Sequence, residues 1–395
     1  MGLWFPAGSR YESASVSGAL HFIEHLFFKG TRRRTARQIS ESIEGVGGYF
    51  NAFTSEEMSC YHAAAPASRL KLVFDVLLDM VDDSLFAPAE VERERNVILE
   101  EIKMYEDQPS QVVQDIFNSL LWPGHPLGRP ITGTAAAVSR LTRADLIACR
   151  RKFYDPARMI VTVAGRTTVE EVRGLLGGRP GGRVKSAPFR KFLAPTRKTP
   201  AISVVNKGVE QTHLALGWRA ISRHDPARYP LKIMSVLLGE NMSSRLFQII
   251  RERHGLAYSI ASQVSYFEDT GSLGVTAAVD HGKIDKALRM TLRTIRSLAD
   301  KEPSAAEVRR AKDYIIGQMY LGLEGTNNQM MWAGEAMIGY GSILTPKEAE
   351  ERIACVTPAS IRAIARRVIR PDNLVVAAVG PVITVAGIEK AVAAA

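Results

Sequence analysis

The alternation of apolar and polar positions along the chain follows a pattern that occurs twice. Residues 141–165 read as an amphipathic helix, a turn and an apolar strand, and residues 356–380 show the same order of elements. Three turn or cap residues recur in both segments at a constant spacing of 215 positions, namely Thr142 and Thr357, Pro156 and Pro371, and Gly165 and Gly380. This constant spacing predicts two tandem copies of one unit, with a chance match as the weaker alternative.

The second copy begins with sequence that is typical of β-strands. Ala201 to Asn206 and Gln211 to Trp218 are rich in apolar residues and flank a turn at Lys207-Gly208. The position that corresponds to the first of these strands, 215 residues earlier, lies before Met1. We therefore expect the first domain to lack its opening strand.

Length and composition fit this organisation. The chain has 395 residues, of which 46% are apolar and 23% are charged, so each copy can bury a core of its own. The sequence predicts an α+β fold of two tandem, homologous α/β domains, each a sheet flanked by helices. We place the first domain at residues 1–176 and the second at 199–395, joined by a basic linker rich in Gly and Pro at 177–198.

The net charge of +10 does not by itself indicate a nucleic-acid partner. Seven basic residues and no acidic residue fall between Gly177 and Lys198, so much of the excess lies in the predicted linker. Such a segment is usually solvated, and the remaining sequence offers no basic stripe. We therefore expect no nucleic-acid partner.

Cysteine usage and hydropathy bear on the compartment. The three cysteines, Cys60, Cys149 and Cys355, are an odd number without a CxxC pair, which excludes a disulfide scaffold and indicates a reducing compartment, predicted to be the cytoplasm. The most apolar stretch, Asn373 to Ile388, is short for a bilayer and is interrupted by glycine and proline. We expect no membrane span.

The segment HFIEH carries the strongest chemical signal. It reads as a helix with Ser17 as its N-cap and Gly30 as its stop. On a helix, His21 and His25 project from one face about one turn apart, which allows both to bind one metal ion. Glu24 lies beside them, where it could accept a proton from water. The alternative is an ordinary pair of surface histidines.

A catalytic zinc ion usually takes three protein ligands, so a third must come from elsewhere in the chain. The helix that begins at Pro88 carries many carboxylates, most of which are expected to be solvated. Glu94 and Glu101 lie two turns apart on one face of it. The neighbours of Glu101 on this helix include Val97, Ile98 and Ile102. A carboxylate in apolar surroundings is costly unless a cation partners it, so Glu101 is a candidate ligand.

The inverted HxxEH motif, followed 76 residues after His25 by Glu101 in LEEIKMYEDQP, resembles that of the M16 (pitrilysin/insulinase) zinc metallopeptidases of the processing-peptidase-like subfamily. The segments AGSRYE, SGALHFIEHLFFKGT, GGYFNAFTSEE and SSRLFQIIRERHGLAYS are also similar to family segments. The resemblance implies two related domains around a closed, clamshell chamber. It further implies one zinc ion per chain, bound by His21, His25 and Glu101, with Glu24 as general base and Glu94 as a supporting carboxylate.

The resemblance also implies two sets of substrate contacts. The strand from Tyr49 to Thr54 is expected to bind an extended peptide by strand addition, with Asn51 and Ala52 at the contact positions. The alternative, an ordinary half-buried strand, is compatible with that role. In the second domain, Arg251 and Tyr258 match a family pair that grips the substrate or stabilises the oxyanion.

These features predict a zinc-dependent metalloendopeptidase that hydrolyses peptides or unfolded polypeptide segments. The second copy has LKIMSVLLGE where the first has its HxxEH helix, so only one half is expected to be catalytic. Because one chain carries both the zinc site and the Arg–Tyr pair, we expect a monomer or homodimer. The competing hypothesis is a catalytically silent structural or assembly subunit of the same fold. Such relatives lose the HxxEH residues, which this chain retains.

Overall fold

The computed structural model describes residues 1–179, 191–193 and 199–395. Most of the predicted linker, 177–198, lies outside these residues. The strands are β1 (Gly2–Phe5), β2 (Tyr49–Thr54), β3 (Ser59–Ala64), β4 (Ile160–Thr162), β5 (Ala201–Asn206), β6 (Thr212–Ala220), β7 (Ala257–Tyr266), β8 (Gly271–Val279) and β9 (Leu374–Gly380).

The α-helices are α1 (Ala19–Phe27), α2 (Ala36–Glu44), α3 (Leu70–Asp83), α4 (Pro88–Asp107), α5 (Pro109–Leu121), α6 (Ala135–Arg140), α7 (Arg143–Phe153), α8 (Val169–Leu175), α9 (Arg228–Gly239), α10 (Ile284–Asp300), α11 (Ala305–Gly322), α12 (Thr326–Tyr340), α13 (Pro346–Ala354), α14 (Pro358–Val368) and α15 (Val385–Ala393). Within the described ranges, the length and polarity of every helix rule out a bilayer crossing.

The chain forms two compact units. The first comprises Met1–Met104, Arg129–Arg190 and Gly322–Ile343. The second comprises Tyr105–Gly128, Lys191–Leu321 and Leu344–Ala395. Each unit therefore draws on both halves of the sequence. The domain boundaries set from the repeat, 1–176 and 199–395, remain a prediction.

The two sheets share one strand order. The first sheet runs β2-β3-β1-β4 with antiparallel pairing throughout. The second runs β5-β9-β6-β8-β7, and it is antiparallel except for the parallel β5–β9 pair. Matching β1 to β6, β2 to β7, β3 to β8 and β4 to β9 superimposes the two orders, which confirms the tandem repeat. The described part of the first sheet has no counterpart of β5.

Two of the three residue pairs that revealed the repeat have the same structural role in both copies. Thr142 and Thr357 are the N-caps of α7 and α14, and each forms a reciprocal capping box with the third residue of its helix. Pro156 and Pro371 each open the short 3-10 turn that leads into the following strand. The shared sequence pattern therefore reflects shared turn and cap chemistry.

Each unit contains one helix contributed by the opposite half of the chain. In the first, α12 packs on β1 and β4, and Gly334 lies so close to Trp4 that a Cβ there would be 1.9 Å from the indole ring. Met330 is buried in the same cluster. In the second unit, α5 packs on β6 and β9 through the buried residues Val113, Phe117 and Leu121.

Candidate active site

The helix that carries HFIEH begins in a way that the sequence did not indicate. Ser17 was expected to be the N-cap, but that prediction is wrong: the cap position belongs to Gly18, whose φ of +89° favours glycine, and it supplies no side-chain bond. The first amides are instead satisfied by the buried carboxylate of Glu12. Its two oxygens accept hydrogen bonds from the N–H groups of Gly18 at 2.8 Å and Leu20 at 2.7 Å. A carboxylate at this end also suits the helix dipole.

The two sides of helix α1 have different roles. Leu20, Ile23 and Phe27 are fully or almost fully buried in the core of the first unit. Glu24 and His25 lie on the less buried side of the helix. The hydrophobic face therefore fixes the helix on the sheet, and this fixes the direction in which the polar side chains project.

The three predicted metal ligands converge. One ligand atom from each of His21, His25 and Glu101 lies within 4.8 Å of the other two. Oε2 of Glu101 is 3.6 Å from Nε2 of His21 and 3.6 Å from Nε2 of His25. This is the one cluster of three such side chains in the part of the chain that the structure describes.

This donor set fits a zinc ion. Around tetrahedral zinc with bonds of about 2.0–2.1 Å, neighbouring ligand atoms lie roughly 3.3–3.5 Å apart. The two distances from Glu101, 3.6 Å each, are close to this value. Burial, together with the neighbouring His25, lowers the pKa of His21 to about 3, so its imidazole is neutral and able to bind metal at physiological pH. Two imidazoles and one carboxylate also leave a fourth position for water, as catalytic zinc requires.

Glu94 orients one of the ligands. Its Oε2 lies 3.2 Å from Nδ1 of His25, and its Oε1 lies 2.9 Å from Nζ of Lys29. Glu94 is only 2% exposed. Burial opposes its ionisation, but the hydrogen bonds with His25 and Lys29 outweigh this and hold the pKa of Glu94 below its ordinary value. An ionised Glu94 places a proton on Nδ1 and leaves the Nε2 lone pair of His25 facing Glu101.

The surroundings of Glu101 agree in part with the sequence. Ile98 and Ile102 are 0% and 5% exposed, as expected of apolar neighbours. Val97 is 46% exposed, so the apolar enclosure expected around Glu101 is incomplete on that side. The helix period explains the difference, since Glu101 lies between the exposed side of α4 that carries Val97 and the buried side that carries the two isoleucines.

Glu24 is held by a residue that the sequence reasoning did not single out. The hydroxyl of Thr54, the last residue of β2, donates a hydrogen bond of 2.5 Å to Oε2 of Glu24. Burial raises the pKa of Glu24, and the Thr54 hydrogen bond opposes part of that rise. A carboxylate with a raised pKa is suited to accepting a proton near neutrality.

The predicted peptide-binding strand lies at an edge. β2 pairs only with β3 in the described part of the first sheet. The N–H of Ala52 donates to Oδ1 of Asn51 at 2.8 Å, so the Asn51 side chain covers a backbone group of this strand. Asn51 and Ala52 are thus adjacent at an edge that could add a strand.

Arg251 and Tyr258 lie together in the second unit. Arg251 belongs to a π-helix, Phe247–Arg253, and Tyr258 lies at a β-bulge of the edge strand β7. The Arg251 guanidinium carbon is 5.6 Å from the Tyr258 ring centroid and 4.7 Å from that of Phe247. Tyr258 is 74% exposed. π-Helices and bulges are frequent at functional sites.

Sequence reasoning missed Thr54 and Glu12. Both lie in segments that resemble the family, FNAFTSEE and AGSRYE, but neither type of residue stands out by spacing. Polar residues that end a strand or precede a helix usually have local roles, so only the fold reveals that these two reach α1.

Comparison with known proteins decides the family. The sequence model described as "Insulinase (Peptidase family M16)" matches residues 1–135, and that described as "Peptidase M16 inactive domain" matches residues 140–315. An uncharacterised zinc protease of Mycobacterium leprae is 39% identical over 373 residues, covering 93% of this chain and 84% of that protein. The chain belongs to peptidase family M16.

Other M16 similarities extend over nearly the whole chain. The uncharacterised zinc protease YmxG of Bacillus subtilis is 33% identical over 94% of this chain and 90% of its own length. The crystal structure of a protease from Helicobacter pylori has a TM-score of 0.90 at 20% identity, covering 96% of this chain and 93% of that one, and it supports the fold. As an M16 member, the chain is a metallopeptidase. The match to an inactive domain agrees with the absence of HxxEH from the second copy.

Proposed function

We propose that this M16 chain is a zinc-dependent endopeptidase that hydrolyses peptides or unfolded polypeptide segments. The observation that carries the proposal is the convergence of His21, His25 and Glu101, with Glu24 on the same helix as both histidines. These three side chains would hold one zinc ion per chain. Glu24 is the general base in this proposal.

When bound, the zinc ion acidifies water and polarises the peptide carbonyl. Glu24 accepts the proton of the attacking water, which its raised pKa favours, and then delivers that proton to the nitrogen of the leaving amine. Glu94 keeps the His25 ring in one tautomer and one orientation through its contact with Nδ1. The residues of the first unit thus supply metal binding, ligand orientation and proton transfer.

We infer that substrate binding uses the main chain more than particular side chains. The free edge of β2 at Asn51 and Ala52 can hold an extended peptide by strand addition, which requires the Asn51 side chain to release the Ala52 N–H. In the second unit, the exposure of Tyr258 and its contact with Arg251 favour a role in gripping the substrate or stabilising the oxyanion.

A catalytically silent assembly subunit is the alternative, and the complete ligand set counts against it. In a subunit that no longer catalyses a reaction, nothing requires the ligand side chains to stay close together. Here the three ligand atoms, the orienting Glu94 and the base all remain.

The test is metal-dependent cleavage by the purified chain. We expect hydrolysis of an internally quenched peptide, loss of that activity in a chelator and recovery on adding one equivalent of zinc. Mass spectrometry of the products should show internal cleavage. A zinc-loaded, folded chain that leaves a broad peptide library intact would refute the proposal.

A further inference from the structure

The general base is linked to the peptide-binding strand by a single hydroxyl. Thr54 ends β2 and pairs with Ser59 of β3, the adjoining strand. Its Oγ1 donates to Oε2 of Glu24 at 2.5 Å, across 30 residues of sequence. A hydrogen bond to a carboxylate is both shorter and stronger than one between neutral groups.

A series of buried hydroxyls lies behind Thr54. Tyr61 donates to Tyr154 at 3.1 Å, and Tyr154 donates to Ser59 at 3.3 Å. Ser59 donates to the carbonyl of Ala7 at 2.6 Å and makes only a longer contact of 3.3 Å with Thr54. Ser59 is fully buried. An ionised carboxylate only accepts hydrogen bonds, so the proton between Thr54 and Glu24 is that of the Thr54 hydroxyl.

We propose that Thr54 is a positioning residue for the general base, holding one oxygen of Glu24 so that the other is left to exchange protons with water and the leaving amine. This inference rests on the proposed peptidase function. Thr54 lies two positions after Ala52 on the same strand. The strand proposed to hold the peptide therefore also fixes the base that acts on it.

The adjoining residue provides a matched control. Ser55 directs its hydroxyl to the carbonyl of Met58 at 3.1 Å and accepts from the Met58 N–H at 3.3 Å, so it serves the turn of the hairpin and not the base. If Thr54 only stabilised the hairpin, removing either hydroxyl would have a similar effect on catalysis.

The kinetic experiment compares Thr54→Val, Thr54→Ser and Ser55→Ala with the parent in zinc-loaded form. Thr54→Val keeps the shape and loses the hydroxyl, so kcat should fall about ten- to a hundredfold. KM and zinc content should stay near the parent values. Thr54→Ser should restore kcat to within about threefold of the parent, and Ser55→Ala should leave it unchanged. A parent-like kcat for Thr54→Val, or failure of serine to rescue, overturns the proposal.

A second measurement does not depend on peptidase activity. In chelator, Thr54→Val should lower the urea midpoint of the parent but have little effect in a Glu24→Ala background, where the acceptor is gone. Equal shifts in the two backgrounds would show that the two residues are not coupled and would also overturn the proposal. If the parent cleaves no peptide, the proposed function fails, and the urea comparison still decides whether Thr54 holds Glu24.

Discussion

Oε2 of Glu94 lies 3.2 Å from Nδ1 of His25, although 69 residues separate them in sequence. The same histidine presents its Nε2 to Glu101, 3.6 Å away. Two carboxylates of one helix therefore face the two nitrogens of a single ring. Their spacing of seven residues, two helical turns, makes this possible, because it places both on the face of α4 that meets α1.

Glu94→Gln should weaken zinc binding about 10- to 100-fold, because the neutral amide no longer favours the Nδ1-protonated tautomer of His25. Competition with a zinc-binding dye measures this. Glu100→Gln is the control: Glu100 lies next to Glu101, but its side chain is 72% exposed and pairs with Lys103. Parent-like zinc affinity in Glu94→Gln would contradict the orienting role.

Glu24→Gln should retain about one zinc per chain while losing at least a hundredfold in turnover, since the amide keeps size and hydrogen bonding but accepts no proton. Glu101→Gln, His21→Ala and His25→Ala should instead lose zinc, because each removes one of three protein ligands. Elemental analysis beside peptidase rates separates the two classes. A Glu101→Gln variant that holds zinc as tightly as the parent would show that the ligand set is misassigned.

Glu12 should make the stability of the fold depend on pH. Burial raises the pKa of Glu12 from 4.5 to about 7, against the two backbone hydrogen bonds and the Arg129 charge that lower it. Between these values the folded chain holds a proton that the unfolded chain has lost, so stability falls as pH rises from about 4.5 to 7.

The measurement is the difference in free energy of unfolding between the parent and Glu12→Gln, in chelator. It should decrease by on the order of 3 kcal/mol over that interval, from a pKa difference of about 2.5. Cys149, Tyr154 and Arg129 are titratable groups that interact with Glu12, and none of them changes its charge between pH 4.5 and 7. A difference that does not change with pH would contradict the buried, proton-holding Glu12.

Tyr258→Phe should lower turnover about tenfold or more if the hydroxyl meets the oxyanion, with zinc content and melting temperature unchanged, because the residue is 74% exposed. The phenyl ring keeps its contact with Arg251, so the change isolates the hydroxyl. Tyr320→Phe is the control, since Tyr320 is also exposed and its hydroxyl donates to Glu350. Equal activities in Tyr258→Phe and the parent would leave no role for this hydroxyl.

The purified chain should be active without a different subunit, because it carries both the ligand cluster and the Arg251–Tyr258 pair. Light scattering should give the mass of a monomer or homodimer, and specific activity should not rise when other M16 chains are added. Cleavage that appears only after a second, homologous chain is supplied would contradict this.

The sequence predicted features that depend on local chemistry. Thr142 and Thr357 marked helix starts because an N-cap is read from a few neighbouring residues. The spacing of His21, Glu24 and His25 was equally local. The prediction of Ser17 as the N-cap failed because it used the residue type alone. The first N–H groups of α1 are bonded by the Glu12 carboxylate, which only the fold brings to this helix.

The sequence pattern did not predict which helix packs on which sheet. Nothing in the periodicity of α12 indicates that it covers Trp4, and nothing in α5 indicates that it joins the second sheet. The sheet that each helix covers is set by contacts between residues that are far apart in the sequence. The close contact between Gly334 and the Trp4 ring is an example, because it is seen only when the fold brings the two residues together.

The assignment of α12 to the first sheet also governs how the protein is made. A ribosome completes β1, β4 and the HxxEH helix long before it reaches residue 326, so the apolar surface around Trp4 and Ile160 has no cover during most of translation. The packing of the nascent first unit therefore remains incomplete until the chain is nearly finished.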